Sequence, residues 1–442
     1  MLFSGKRVSD NTSDCVLYRK LLMLIAQKRL NKQKGKGDKM KKLIRLTIAV
    51  VITFGLTACG SQDKKEAADA QTTKEGIAAP ERPSDADLMA FKVYHHMMYK
   101  VTTAKQAGGT NKLLHTKKLP TEGTDPVVTP ALDHLYSKVV VDLTEGPVTV
   151  EYPKVEEGRY YSIHITDQEH YTIYDEIHPV GKYTIVRKGK NMQAPKGATV
   201  IESPGDYPHL FIRIQVKTAE DLVNTLAIQE KITLTANSSK ELTVENPIKH
   251  TLETHDVYPQ NKDLLESSIN FSEEDYLRVS KYMGIVAPKF GPTGNIGLFG
   301  PIDSDEPNSN DHEYRAAAIV GHLGLPVHHA YYGPFFTNCN DEVLTGDKPE
   351  VFVFPYKPKG VELFWSVTRY SALTRNTLPG KNDLFNAYNT KPDANGNITV
   401  TFSVENPKDG TYWMPVNAGE PYYFVVRYYK PDVNNLPKKP CK

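Results

Sequence analysis

Cysteine and tryptophan are scarce, at four and two in 442 residues. That count excludes a disulfide framework of the kind small secreted scaffolds rely on. No stretch approaches the roughly 20 apolar residues of a membrane-crossing helix, so a polytopic membrane protein is excluded. Collagen-like and coiled-coil periods are missing as well. The chain has no Gly-rich phosphate loop and no βαβ alternation, which argues against Rossmann and P-loop folds. It has no Gly-x-Ser-x-Gly elbow, which argues against a standard α/β serine hydrolase.

Charge of one sign is also unevenly supplied. The net charge is +2, but the first 58 residues hold 13 Lys+Arg against 3 Asp+Glu, leaving 41 basic and 49 acidic residues for the rest. An acidic body repels phosphate backbones, so no nucleic-acid partner is expected. The basic leader reads as a targeting segment. Met40-Lys41-Lys42-Leu43-Ile44-Arg45 is a positive n-region and Leu46 to Leu56 an apolar h-region. The segment ends in Leu56-Thr57-Ala58-Cys59-Gly60, which resembles the bacterial lipoprotein lipobox. The expectation is a lipoprotein acylated on Cys59 and held by several acyl chains, since one chain anchors only marginally. Gly60 in place of Asp favours the outer membrane, with the body facing the periplasm. Residues 1–39 read as an upstream extension from a start codon placed too early, the alternative being an unusually long n-region, and 40–58 as the signal peptide.

Residues 59–83 are polar and lack aromatics, which predicts a flexible tether. Ser84 and Asp87 mark a helix start, followed by the apolar positions Leu88, Phe91, Val93, Tyr94, Met97, Met98 and Val101. From Lys138 the period changes to that of strands. These are predicted at Val139–Leu143, Val148–Tyr152, Tyr160–Thr166, Tyr171–Tyr174, Tyr183–Val186, Thr199–Ile201 and Leu210–Val216, with Gly146-Pro147 as a turn between the first two. Glu220 to Leu234 returns to helical spacing. Ala236 to Asp263 reads as a connector, Glu273 to Ile285 as a helix, Phe290 to Asn310 as loop, and Tyr314 to Leu323 as a short helix. A second strand-rich block covers Val351–Phe354, Val361–Tyr370, Ile398–Val404 and Tyr422–Tyr429. The fold class is therefore mainly β, of sandwich or barrel type. The expected boundaries are a first β-rich domain over 84–235, a helical and loop connector over 236–325, and a second β-rich domain over 326–442.

Several of these segments resemble the paired domain-of-unknown-function families 1254 and 1214, in that order. The first is matched by Asp133-His134-Leu135-Tyr136-Ser137, Asp142-Leu143, Gly146-Pro147-Val148, Arg159-Tyr160-Tyr161-Ser162 with Asp167, Ser203-Pro204 and Arg213. The second is matched by Gly324-Leu325-Pro326, Phe364-Trp365-Ser366-Val367-Thr368 with Tyr370, Trp413-Met414-Pro415 and Tyr422 to Pro431. His134 stands where a Thr is expected, Ser371 where an Asp is, and His328-His329 where an acidic segment is. The resemblance implies two β-sandwich or jelly-roll domains joined by helices, and no activity.

Candidate chemistry is sparse. His164, Asp167 and His170 form the best polar cluster, with Tyr160, Arg159 and Asp133 nearby. Imidazole plus carboxylate can relay a proton or bind a divalent metal. The spacing matches no closed metal signature, so no metal is assigned, and a hydrogen-bonded polar rim is the stronger reading. His329, Tyr331 and Trp365 are pocket candidates in the second domain. His328 and His329, read as strand neighbours, should face opposite ways and so not share an ion. His95-His96 lies in an apolar helix and reads as core. The acidic loop from Asp303 lacks the EF-hand pattern. Cys339 and Cys441 form a possible disulfide. The expected function is an envelope-anchored ligand-binding or assembly module, with an unknown small molecule or envelope component as its partner. The alternatives are a metal-assisted hydrolase or lyase on an envelope or carbohydrate-like substrate, and a structural homo-oligomer. No cofactor is assigned.

Overall fold

The computed structural model describes residues 80–120, 129–378, 383–436 and 440–441. The leader, Cys59 and most of the tether lie outside the described residues. The chain enters through α1 (Asp85–Ala107). Ser84 Oγ caps it by accepting the Asp87 N–H at 3.1 Å, and Gly108 ends it in the left-handed region at φ 77°. The first device is the one the sequence announces, a hydroxyl for an orphan donor; the second is a residue without Cβ at the stop.

Nine strands follow in the first domain: β1 (Leu114–His115), β2 (His134–Val140), β3 (Val148–Tyr152), β4 (Tyr161–Thr166), β5 (Thr172–Ile177), β6 (Gly181–Arg187), β7 (Thr199–Ser203), β8 (His209–Gln215) and β9 (Thr233–Thr235). They form a five-stranded sheet in the order β1-β2-β8-β4-β5 and a four-stranded sheet in the order β7-β6-β3-β9. Gly146-Pro147 thus joins strands of different sheets. The sheets pack face to face through Val139, Ile163, Ile165, Leu210, Ile212 and Ile214 on one side and Val148, Val150, Tyr183 and Ile185 on the other.

Helices bridge the two domains. The stretch Glu220 to Leu234 breaks into α2 (Leu222–Gln229) and β9, because β9 finds an edge on β3 that local periodicity does not reveal. The polar connector carries two short helices, α3 (Pro247–Thr254) and α4 (Pro259–Ser267), each opened by proline. Next come α5 (Glu273–Val286), with a full capping box on Ser272 and Asp275, and α6 (His312–Ala317). The helices pack around α1 in a core of Leu88, Phe91, Val93, Ile248, Leu265, Tyr276 and Met283. No helix among the described residues is long and apolar enough to cross a membrane.

The second domain holds β10 (Ala330–Phe335), β11 (Glu350–Pro355), β12 (Val361–Ser371), β13 (Leu384–Asn386), β14 (Asn397–Ser403), β15 (Tyr412–Pro415) and β16 (Tyr422–Pro431). They pair as β10-β16-β12-β13 and β11-β14-β15. Its core is aromatic, with Phe352, Phe354, Trp365, Phe402 and Phe424. Cys339 and Cys441 are disulfide-bonded, with Cα atoms 5.6 Å apart. The architecture is mainly β, two β-rich regions linked by helices and loops.

Strand alternation places Trp365 and Val367 in the second domain's own core and turns Phe364 outward. Phe364 stacks on Tyr429 at 4.1 Å and closes an apolar seam with Tyr160, Leu325 and Ala330 of the neighbouring elements. Further bonds strap the segment before β2 onto the second domain. Arg427 Nη2 donates to the Thr129 carbonyl at 3.0 Å, and Tyr370 Oη donates to the Pro130 carbonyl at 2.5 Å.

Candidate functional site: a buried polar sheet face and the cleft beside it

The first domain's five-stranded sheet has one apolar face, spent on its sandwich core. Antiparallel sheets of this kind commonly leave the other face to water. Here that face is polar and covered. Register aligns Tyr136 with Arg213, Lys138 with Phe211, Ser162 with Arg213, His164 with Phe211 and with Asp175, and Thr166 with His209. Directly opposed residues share a face, so these side chains form one polar surface. Ser162, His164, Thr166, His209 and Arg213 are all buried on it. The lid is α1, which brings His95, His96, Tyr99 and Lys100, together with the His322–Leu323 segment and Tyr332 and His329 at the second domain.

Covering a polar face is costly unless each group finds a partner, and several do not. Arg213 is 6% exposed. Its Nη2 donates to the Leu323 carbonyl, its guanidinium lies 4.4 Å over the Phe211 ring, and Nη1 has no partner. No carboxylate among the described residues pairs with it. His164 bonds Thr172 Oγ1 through Nε2 at 2.9 Å, while its Nδ1 is unpartnered. Both ring nitrogens of His209 and Nδ1 of His170 are likewise buried without a partner. Each such orphan costs about 1–3 kcal/mol.

The turn from Asp167 to His170 explains how the lid is held. All four of its residues are buried, unusual for a polar turn. Asp167 Oδ1 accepts the backbone N–H groups of Glu169 and Tyr171, both at 2.9 Å. Its carbonyl accepts from His96 Nε2 at 3.0 Å and from Lys100 Nζ at 3.2 Å. Glu169 takes His255 Nε2 at 2.9 Å and Asn261 Nδ2 at 2.7 Å, and so ties the turn to α3 and α4. Burial pushes Asp167 up from the usual carboxylate range and Lys100 down from the usual lysine range. His170 sits in the left-handed region at φ 65°, which aims its ring at α1. The rings of His96 and His170 lie 4.8 Å apart, and those of His170 and His322 stack at the same separation.

At the open edge of the sheet lies a cleft of about 750 Å³ between the domains, lined by Asp175, His178, His328, His329, Glu362 and Lys430 among others. Asp175 Oδ1 accepts from both His328 Nε2 at 2.7 Å and His329 Nε2 at 2.8 Å. The strand reading of the two histidines fails here. They lie in the turn before β10, where alternation does not apply, and both reach one carboxylate. Behind His329, the Tyr160 hydroxyl donates to its Nδ1 at 3.2 Å. Burial alone would raise Asp175, but the bonds from the two imidazoles hold it well below the carboxylate range. The bond to Asp175 raises half-exposed His328, whereas burial lowers His329. One imidazole is thus favoured charged and its neighbour neutral, a split that suits acid–base work.

The sequence candidates fall in different places. His164 and His170 lie on the buried face and Asp167 organises the turn. Asp133 pairs with His134 Nδ1 at 2.7 Å, and Tyr160 joins that face to the cleft. Arg159 is a clamp elsewhere: it donates to Asp221 through two bonds of 2.6 Å and to Glu156 and the Gln215 carbonyl. In the second domain, His329 lines the cleft. Tyr331 packs beside Tyr428, and Trp365 is a core residue whose indole N–H donates to the Tyr356 carbonyl at 2.8 Å, so neither is part of it. Sequence reasoning missed His96, His209, His322, Asp175 and, as a shared ligand, His328. Two groups have the donors a metal needs, with ligand atoms within 4.8 Å of one another: His96, His170 and His322, and Asp175, His328 and His329.

Comparison with known proteins agrees with the two-part architecture. Residues 110–236 match the family model "Protein of unknown function (DUF1254)", and residues 329–433 match "Protein of unknown function (DUF1214)". The chain is a DUF1254–DUF1214 protein. No curated protein matches it. The fold is similar to the crystal structure of the VPA0106 protein from Vibrio parahaemolyticus, with TM-score 0.61 and 20% identity over 81% of this chain and 98% of that one. An uncharacterized protein from Burkholderia cenocepacia aligns over 89% of this chain and 94% of its own at 14% identity, with TM-score 0.45. The first likeness concerns the fold alone, and the second bears on nothing further. Arg213, His164, His170, His209 and Asp175 lie inside the DUF1254 match and His329 opens the DUF1214 match. His96, His322 and His328 lie outside both.

Proposed function

We propose that this DUF1254–DUF1214 protein is an envelope lipoprotein, tethered through Cys59, that binds a small oxyanion-bearing molecule where its two β-rich domains meet. One observation carries the reading: Arg213 is a buried cation with no carboxylate partner and an unengaged Nη1. Guanidinium groups recognise carboxylates and phosphates through paired N–H donors. The unpartnered Nδ1 of His164, on the next position of the same face, offers a further polar contact. The cleft at Asp175, His328 and His329 opens at the edge of the same sheet, where Asp175 pairs with His164.

The test is thermal denaturation and calorimetry with acetate, succinate, citrate and inorganic phosphate, on the wild type and on Arg213→Met. A ligand at a hundred times its dissociation constant should stabilise the wild type by about 2.7 kcal/mol, and the variant should lose that gain. If every anion in the panel stabilises the two proteins equally, the reading fails.

A second reading, a metal-assisted hydrolase or lyase, is favoured by the line Asp175–His329–Tyr160 at an open cleft. Turnover of a model ester or glycoside that is abolished by His329→Ala would select it over simple binding.

A further inference from the structure

The end of the polar face farthest from Arg213 holds a gathering of imidazoles that anion binding leaves unused. His96 donates its Nε2 proton to the Asp167 carbonyl at 3.0 Å. That leaves the Nδ1 lone pair directed at His322 Nε2, 2.9 Å away. His170 closes the trio, with a ligand nitrogen of each residue within 4.8 Å of the others. An imidazole oriented by a backbone carbonyl on its far nitrogen is the arrangement by which proteins fix metal-binding histidines. Two independent features point the same way. His170 Nδ1 is buried and unpartnered, and so are both nitrogens of His209, whose ring lies 6.0 Å from that of His96. Hydrogen bonds within the protein link His96 to His322 and bring the Leu323 N–H to His170 Nε2 at 3.4 Å, but they leave His170 Nδ1 and both His209 nitrogens unused.

We infer that His96, His170 and His322 form a binding site for a divalent late first-row transition ion, with His209 at its border. The ligand set is all imidazole, without carboxylate oxygens. It suits zinc, copper, nickel or cobalt and disfavours calcium and magnesium. Burial keeps the four imidazoles neutral, the form that coordinates. Three protein ligands leave room for a further group, the arrangement of reactive rather than purely structural zinc sites.

The test uses the purified full chain, stripped with a chelator and titrated with zinc and cobalt. The expected result is one tight equivalent of zinc beyond any bound at the cleft, and a visible cobalt spectrum typical of nitrogen ligands. His322→Gln and His170→Ala should each weaken that equivalent by at least about tenfold, since even outer partners of metal ligands are worth that much. His328→Ala and Arg213→Met should retain it, which separates this site from the cleft trio and from the anion reading. Because His170→Ala sits in a buried turn, the zinc absorption fine structure of the wild type supplies a check that needs no variant. Its expected form is a nitrogen shell with scattering from several imidazoles. Loss of zinc in His328→Ala with retention in His322→Gln, or an oxygen-dominated shell, overturns the inference.

Discussion

Replacing Arg213 by methionine should leave the unliganded protein as stable as before, or more stable. A buried arginine that serves the fold is destabilising to remove, because its partners are left uncompensated, typically by 3–5 kcal/mol. Arg213 has few partners to strand. Its removal orphans the Leu323 carbonyl, at about 1–3 kcal/mol, and forfeits the contact with Phe211, at about 0.5–2 kcal/mol. Against this stands relief from a buried charge without a counter-ion, worth several kcal/mol, and methionine fills much of the same space. The two sides come out near balance, so the midpoint of thermal unfolding should stay within a few degrees of wild type or rise, at about 2–4 °C per kcal/mol for a domain of this size. Differential scanning calorimetry without added anion reads this directly. A fall equivalent to 3–5 kcal/mol would show that Arg213 is a structural strut, and the case for an anion site would fall with it.

Arg159→Met is the contrasting case. It deprives Asp221 of its cationic partner and the Gln215 carbonyl of one of its two donors, so urea denaturation should show a loss of about 3–5 kcal/mol while anion-induced stabilisation persists. Burial depresses the buried histidines His96, His170, His209 and His322. Below about pH 6.5 the unfolded chain takes up protons that the native state refuses, so stability should fall with pH by about 1.4 kcal/mol per unit for each histidine that stays neutral. Denaturation curves from pH 7.5 down to 5 check the slope, and a flat profile contradicts it. In nuclear magnetic resonance titrations His328 should titrate above the ordinary histidine value and return towards it in Asp175→Asn. That pair stabilises the fold below the ordinary histidine value and ceases to as pH rises through the raised one. Finally, intact mass of native material should show acyl chains on Cys59, and Cys59→Ala should leave the membrane fraction; an unmodified sulfur refutes the anchor.

Much of the fold was legible because strands advertise themselves by alternation. Leu210-Phe211-Ile212-Arg213-Ile214 reads as a strand with one apolar face, and so it is. What alternation cannot convey is what covers the other face. The polar rim expected around His164 is instead an interior, because α1 and the second domain close over it. His96 and His322 are 226 positions apart and meet only through the tertiary fold. The short helices α3 and α4 escaped notice since their sequences are polar, although Asn246-Pro247 carried a cap and a proline at the first helical position. His328 and His329 were misread through a period that applies only from β10 onward.

A junction sealed by hydroxyls, imidazoles and guanidinium groups differs from one sealed by grease. Apart from the apolar seam of Phe364, Tyr429, Tyr160, Leu325 and Ala330, the surfaces that meet over Arg213 and His164 are ones that water wets readily. Prising the halves slightly apart would therefore bare little oily area, and solvent would take over many of the hydrogen bonds that open.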